Sequence, residues 1–249
     1  MLLVIDVGNT ATTFGLFQGI KLRKVWRVAT AKLGTKGLRG LKGIKEVIIG
    51  SVVPKASKTL KRRFPKAKFV NYHDVGLKVK LKKPAEVGID RLVNALATIK
   101  MYGAPAIIVD FGTATTFDVV SARGEYLGGA IAPGIMLSRD ILHERTAKLP
   151  KVDIKTPRSV VGRSTVEAMQ SGLVLGYVAM VEGMISRIKS SRYPCLPAGR
   201  ALPVTRSLKV IATGGLARLI CKQTDVIDII DDDLTLYGLL LCRKNKAIC

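Results

Sequence analysis

Asp6-Val7-Gly8-Asn9-Thr10-Ala11-Thr12-Thr13-Phe14 decides the fold, because the chain contains it twice. Asp110-Phe111-Gly112-Thr113-Ala114-Thr115-Thr116-Phe117 repeats it with the equivalent of Asn9 left out. Each copy follows an apolar run, Leu2-Leu3-Val4-Ile5 or Ala106-Ile107-Ile108-Val109, so each reads as a strand, a tight turn and a second strand. Such a turn suits a phosphate with its metal. An aspartate at the end of a buried strand can hold a cation or a cation-bound water, and glycine lets a phosphate approach the backbone. Threonine hydroxyls and turn N–H groups then donate to the phosphate oxygens.

Two such turns about a hundred residues apart suggest a duplicated α/β fold with a nucleotide held between related halves. The pattern resembles the actin, Hsp70 and sugar-kinase superfamily, whose ribonuclease H-like halves are each a mixed β-sheet with flanking helices. Gly103-Ala104-Pro105 is the expected boundary, giving an N-terminal half of residues 1–104 and a C-terminal half of residues 105–249.

Bulk properties fit that size and limit the alternatives. With 249 residues and 48% hydrophobic side chains, the chain can bury two cores of ordinary size. It opens directly on a strand, and no uninterrupted apolar run reaches the roughly 18 residues of a bilayer span, so a cytoplasmic protein is expected. Cys195, Cys221, Cys242 and Cys249 lack Cys-x-x-Cys spacing, and His73 and His143 are the only histidines, so free thiols are expected rather than a zinc site. The formal charge is +23, and residues 21–83 carry 20 Lys or Arg against Glu46 and Asp74. This basic half-domain reads as a solvated face on an enzyme of anionic substrates. Nucleic acid is the competing partner, with few aromatics interleaved to stack on bases.

The remaining chain alternates strands and helices. Strands are expected near 12–17, 21–28, 47–53, 68–70, 114–120, 126–131 and 209–213. Helices are expected over 55–64, from the Pro84 turn to Tyr102, from Pro133-Gly134 to Arg145, over 165–189, from Leu216, and from Leu234. Thr213-Gly214-Gly215 places two glycines between a strand and a helix, a further anion cradle. Asp231-Asp232-Asp233 reads as a capping segment, the Gly-rich stretch 32–43 as a connector, and residues 190–207 as an inserted surface loop.

The ordered set of motifs is similar to that of the type III pantothenate kinases. It comprises Asp6-Val7-Gly8-Asn9-Thr10, Gly88-Ile89-Asp90-Arg91, Asp110 to Thr116, Gly128-Gly129 through Pro133-Gly134, Thr146 to Pro150, Gly162-Arg163-Ser164-Thr165 and Thr213-Gly214-Gly215. The resemblance implies transfer of the ATP γ-phosphate to the primary hydroxyl of pantothenate, the first step of coenzyme A biosynthesis. It also implies magnesium, a monovalent cation such as potassium or ammonium, and a homodimer, with the long helix as the expected contact.

Carried over residue by residue, the resemblance makes Asp6, Val7, Gly8, Asn9, Thr10, Ala11, Thr12 and Thr13 the first phosphate turn, with Asp6 near magnesium. Thr113, Gly214 and Gly215 become ATP contacts, and Asp110 the monovalent-cation ligand. Gly88, Ile89, Asp90, Arg91 and Thr165 become substrate contacts, with Asp90 the general base. Read without the family, Asp90 and Thr165 are helix caps and Arg91 a surface ion-pair partner. Leu81 stands where many relatives place a substrate-contacting tyrosine. The alternative function is a non-catalytic, nucleic-acid-associated regulatory relative on the same scaffold, and a further reading keeps the phosphotransferase but changes its acceptor.

Overall fold

The computed structural model describes residues 1–33, 43–191 and 207–243. The expected connector 32–43, the inserted loop 190–207, Cys195 and Cys249 fall largely or wholly outside these residues. The chain divides into two compact units, Met1–Tyr102 with the segment from Asp233 onward, and Gly103–Asp232.

The first unit is built on β1 (Leu2–Val7), β2 (Ala11–Gln18), β3 (Lys21–Ala29), β4 (Glu46–Ser51) and β5 (Lys68–Phe69), in the order β3-β2-β1-β4-β5. β1 runs antiparallel to β2 and parallel to β4, so the hairpin and the crossover strand meet on the strand that carries Asp6. Alternation along β1 sends Leu3, Ile5 and Val7 to a core closed by Ala56 and Leu60 of α1 (Pro54–Arg63). Lys55, Lys58, Lys61, Arg62 and Arg63 occupy the exposed side of α1. A short α2 (Tyr72–Val75), capped by Asn71 and Asp74, was not marked by any sequence periodicity. Against β1 and β4 lie α3 (Ile89–Met101) and α7 (Leu234–Leu241), which pack on each other.

The second unit repeats the plan. Its strands β6 (Ala106–Phe111), β7 (Ala114–Val120), β8 (Tyr126–Pro133), β9 (Lys209–Thr213) and β10 (Ile229–Ile230) are ordered β10-β9-β6-β7-β8. Matching β1 to β6 and onward through β5 to β10 reproduces every neighbour, and every strand pair keeps its sense. Ile107, Val109, Phe111 and Phe117 face a core shared with α4 (Ile135–Glu144), α5 (Thr165–Ser190) and α6 (Ala217–Cys221).

Among the described residues α5 alone is long and apolar enough to cross a membrane by length and composition. Its buried residues, including Leu173, Val174, Tyr177, Val178, Val181 and Ile185, make it a core helix of this unit.

Three expectations are corrected. The last helix, expected in the C-terminal half, belongs to the first unit, because Leu236 and Leu239 fill the space over Gly15 and Gly50. Ser164, not Thr165, caps α5 by accepting the Glu167 N–H at 3.2 Å, while Glu167 Oε2 accepts from Arg163 N–H at 2.8 Å. Asp233 holds the cap position of α7 without a side-chain capping bond, and Asp232 instead pairs with Arg218 at 2.6 Å. Burial pushes the Cys221 thiol up to about 11 and Cys242 to about 12, so neither is a thiolate at neutral pH.

Candidate active site

Strand register fixes the first turn. Asp6 and Val7 end β1 opposite Thr13 and Thr12, and Gly8, Asn9 and Thr10 connect them. Gly8 N–H donates to Ala11 O at 3.0 Å, and Thr30 N–H, one residue past β3, donates to Thr10 O at 3.0 Å. These two bonds bracket the turn and leave Asn9 and Thr10 exposed at its tip.

Thr12 turns its hydroxyl inward. It is fully buried, and its hydroxyl lies 3.0 Å from that of Thr30, which itself donates to Gly8 O at 2.7 Å. Because the Thr30 proton is committed, Thr12 is the donor of the pair. Its hydroxyl braces the turn from behind. Thr30 escaped the sequence reading because it sits at the end of an alternating strand with nothing to distinguish it.

Gly88-Ile89-Asp90-Arg91 opens α3. Gly88 is the cap residue, so Asp90 is not the cap but lies in the first turn, where its Oδ1 accepts the Arg91 N–H at 2.9 Å. A Cβ on Gly88 would collide with that same Oδ1, so the carboxylate occupies the space the glycine leaves. Asp90 and Arg91 are both half-buried. Leu81, preceding this segment, is 36% exposed.

The second turn is one residue shorter and has the same two-bond bracket. Gly112 N–H donates to Ala114 O at 3.2 Å, and Gly134 N–H, one residue past β8, donates to Thr113 O at 3.0 Å. Gly134 takes the place of Thr30, and a side chain there would collide with the carbonyl oxygens of Gly112 and Thr113. Gly214, at φ +94°, passes so close to Asp110 that a Cβ would lie 2.5 Å from its Oδ1. The end of β9 and the Asp110 turn therefore form one surface, with Gly215 exposed beside it. The helix after these glycines begins at Ala217 and has only five residues, shorter than the pattern suggested.

Behind this turn lies a polar layer that sequence reading missed. The buried Thr115 hydroxyl bonds the Tyr177 hydroxyl of α5. Burial, opposed by that bond, raises the Tyr177 phenol above its ordinary range, so it stays neutral. Asp118 is fully buried and accepts from Tyr126 Oη at 2.6 Å and Thr116 Oγ1 at 2.9 Å. A carboxylate inside the apolar run after Phe117 was the available signal for this layer.

Thr165 is exposed at the first residue of α5. Asp6, the first turn and Gly88–Arg91 belong to the first unit, whereas Asp110, Thr113, Thr165 and Gly214-Gly215 belong to the second. Among the described residues no group of three or more His, Cys, Asp or Glu is placed to hold a metal. A cation at either turn would therefore have at most two carboxylates among these residues, completed by hydroxyl, carbonyl, phosphate or water oxygens, a hard donor set of low charge.

Residues 2–187 match a family model described as type III pantothenate kinase. Curated type III pantothenate kinases from Paramagnetospirillum magneticum and Geobacillus thermodenitrificans are 46% and 44% identical to the chain, covering 99% and 98% of it and 98% of each relative. Among solved structures, a Campylobacter jejuni protein described as a conserved Baf-family transcriptional activator superposes with a TM-score of 0.64 at 20% identity, covering 96% of both chains. An activator of 2-hydroxyisocaproyl-CoA dehydratase from Clostridium difficile, solved with ADPNP, gives 0.51 at 14% identity over 97% of this chain and 92% of that one. A Sinorhizobium meliloti protein described as a 2-dehydro-3-deoxygalactonokinase gives 0.52 at 8% identity over 97% and 98%. At these identities the structural likeness concerns the fold, and the duplicated sheets share it.

Proposed function

Because the chain belongs to the type III pantothenate kinase family, we infer that it transfers the γ-phosphate of ATP to the primary hydroxyl of pantothenate, opening coenzyme A biosynthesis. The observation that carries this reading is 46% identity to a curated member over 99% of the chain. Nothing comparable supports the regulatory, nucleic-acid-associated alternative.

Phosphoryl transfer is mainly positioning and charge neutralisation, with a base to take the hydroxyl proton. Asp90 is assigned as that base: its carboxylate is held at the start of α3 by the Arg91 amide, and Arg91, next in the sequence, supplies a cation that suits an anionic substrate. The exposed tip at Asn9 and Thr10, with Thr13 beside Asp6, is assigned to the ATP phosphates. Thr113 and the Gly214-Gly215 backbone are assigned to ATP from the second unit, and Thr165 to pantothenate.

Magnesium, when bound, neutralises phosphate charge. Asp6 would be its carboxylate, in keeping with the habit of magnesium of taking one or two carboxylates alongside phosphate and water oxygens. Potassium or ammonium would lie at Asp110, whose Oδ1 has the room that Gly214 leaves it. A homodimer is supported by Gly172, Gly176 and Ala179 on the exposed side of α5, since small residues let two helices approach closely. A cytoplasmic location accords with the role.

Coupled ATP turnover tests the reading. Activity should require pantothenate, exceed that with a panel of sugars and small hydroxy acids, and be higher in potassium than in sodium buffers. Asp90→Asn should stay folded and lose about a hundredfold or more of kcat, within the range of general acid–base effects. Folded wild-type protein that ignores pantothenate, or an Asp90→Asn variant with near-normal kcat, would refute the corresponding assignment. Light scattering on the same preparation should give twice the 26.9 kDa chain mass, and a monomer would remove the dimer.

A further inference from the structure

The two copies of the motif place a threonine directly opposite the strand-end aspartate, Thr13 across from Asp6 and Thr116 across from Asp110. Directly opposed residues of an antiparallel pair share a face, so each hydroxyl lies beside its carboxylate. The copies differ two residues further along the strand, where side chains return to that face. Thr13 is followed by Gly15, and Thr116 by Asp118.

That difference decides what each hydroxyl can offer. Thr116 Oγ1 donates to Asp118 Oδ2 at 2.9 Å, and the other oxygen, Asp118 Oδ1, accepts from the buried Tyr126 hydroxyl at 2.6 Å. A hydroxyl has one proton and two lone pairs. With its proton committed to Asp118, Thr116 presents only lone pairs toward Asp110. It can ligate a cation, and it cannot donate to a phosphate. Thr13 has a glycine where Asp118 would stand, so its proton is not claimed by that position.

We propose that Asp118, held by Tyr126, is a positioning residue that makes Thr116 a monovalent-cation ligand beside Asp110, whereas Thr13 in the sister turn serves as a phosphate donor. One ancestral turn has thereby been sorted into a cation-accepting copy and an anion-donating copy by a single strand position. The proposal rests on the reading of Asp110 as the cation ligand and adds to it the identity of a second ligand and the device that orients it.

The experiment titrates the full-length protein with KCl, balanced by choline chloride at constant ionic strength, and reads both Tm in the presence of ATP and steady-state turnover. Thr116→Val and Asp118→Asn should each raise the KCl midpoint of both readouts by about tenfold or more, as removal of a ligand or its outer partner does. Their KM for ATP at saturating KCl should stay within about threefold, well short of the effect of losing a transition-state or phosphate donor. Thr13→Val should do the reverse, raising KM for ATP at an unchanged KCl midpoint. Tyr126→Phe, which keeps the Thr116 bond, should move the midpoint less than Asp118→Asn.

A Thr116→Val variant with a raised ATP KM and an unmoved KCl midpoint would overturn the proposal, because Thr116 would then be a phosphate donor. Should Asp118→Asn fail to fold, Thr116→Val, at a half-buried position, decides alone. Asp110→Asn separates the two levels: an unmoved KCl midpoint in that variant removes the cation reading of the turn itself, whereas a raised midpoint beside a normal Thr116→Val removes only the role of Thr116.

Discussion

The turn after β1 and the turn after β6 share one hydrogen-bond bracket and differ in length and in what stands behind it. Each is bracketed by a glycine N–H bonding forward to an alanine carbonyl and by an N–H from the residue just past the third strand. Within that bracket the first copy carries one residue more, Asn9, and both tips are exposed, at Asn9 and Thr10 in the first and at Gly112 and Thr113 in the second. The first is backed by the hydroxyl pair of Thr12 and Thr30, whereas the second is shorter and backed by Thr115 with Tyr177 and by the buried Asp118, which accepts from Thr116 and Tyr126. The difference teaches that duplication conserved the hydrogen-bond frame while the chemistry diverged in turn length and in the side chains beneath. On the proposed reading, one turn presents donors outward and the other fixes oxygen atoms in place.

The strongest way to break the comparison is to make the turns equal in length. Deleting Asn9 should preserve the bracket, since the second copy closes with the shorter turn, and should remove an exposed residue assigned to phosphate. The expected result is a loss of about a hundredfold or more in kcat/KM for ATP, comparable to losing a preorganised anion donor, with circular dichroism unchanged. Near-normal turnover would show that the extra residue contributes nothing to phosphate binding and that turn length does not distinguish the copies.

A smaller effect sharpens the frame itself. Gly134 and Thr30 occupy the same place, but Gly134 lies against backbone carbonyls that cannot move aside cheaply, whereas Thr30 bonds to its neighbours through its hydroxyl. Gly134→Ala should cost about 2–3 kcal/mol, the cost of overpacking. Thr30→Ala, which deprives Gly8 O and the buried Thr12 hydroxyl of a partner, should cost about 1–2 kcal/mol. Urea denaturation of both variants checks the ranking, and equal or inverted costs would mean that the two frames are not held as their geometry indicates.

Much of this comparison was legible in the sequence. The repeated Asp-x-Gly turns sit at the ends of apolar strands, and a local signal of that kind is enough to expect two halves of one plan. Placement of the last helix was not legible, since Leu236 and Leu239 contact Gly15 and Gly50 about two hundred residues earlier and nothing near Leu234 announces it. The inward bond of the Thr12 hydroxyl was not legible either, because its residue type suits a phosphate ligand while strand alternation turns the side chain inward. Ser164 and Thr165 are equally good caps by composition, and only backbone geometry selects one. Asp118 was passed over because a carboxylate in a strand is recognised as a network only when Tyr126, on the next strand, is seen to meet it.

The smallest effect lies where the two copies part company after the bracket. In the first unit the third strand leads into a three-residue 3-10 turn, Thr30–Lys32, whereas in the second it leads into α4, which carries Asp140. Asp140 Oδ1 lies 2.6 Å from Arg139 Nη2 and 3.1 Å from Lys151 Nζ, tying the helix to the chain beyond it. The hydrogen bond from Arg139 foremost, and then that from Lys151, holds the carboxyl below the usual carboxylate range. A depressed folded value means that the ionised form is favoured by folding, so its stabilisation is complete above the unfolded value near 3.9 and is lost as pH falls through the folded one. Asp140 is 33% exposed, so solvent screening keeps the contribution within about 1 kcal/mol. Asp140→Asn should therefore lower Tm by at most about 2–4 °C at pH 7 for a chain of this size. That gap should close as pH is lowered from 5 toward and below the folded value, and narrow in about 1 M salt, where the screening length falls to about 3 Å. A gap that widened on acidification would reverse the sign of the linkage, and the ion pairs would then not be what fastens α4 beyond the second turn.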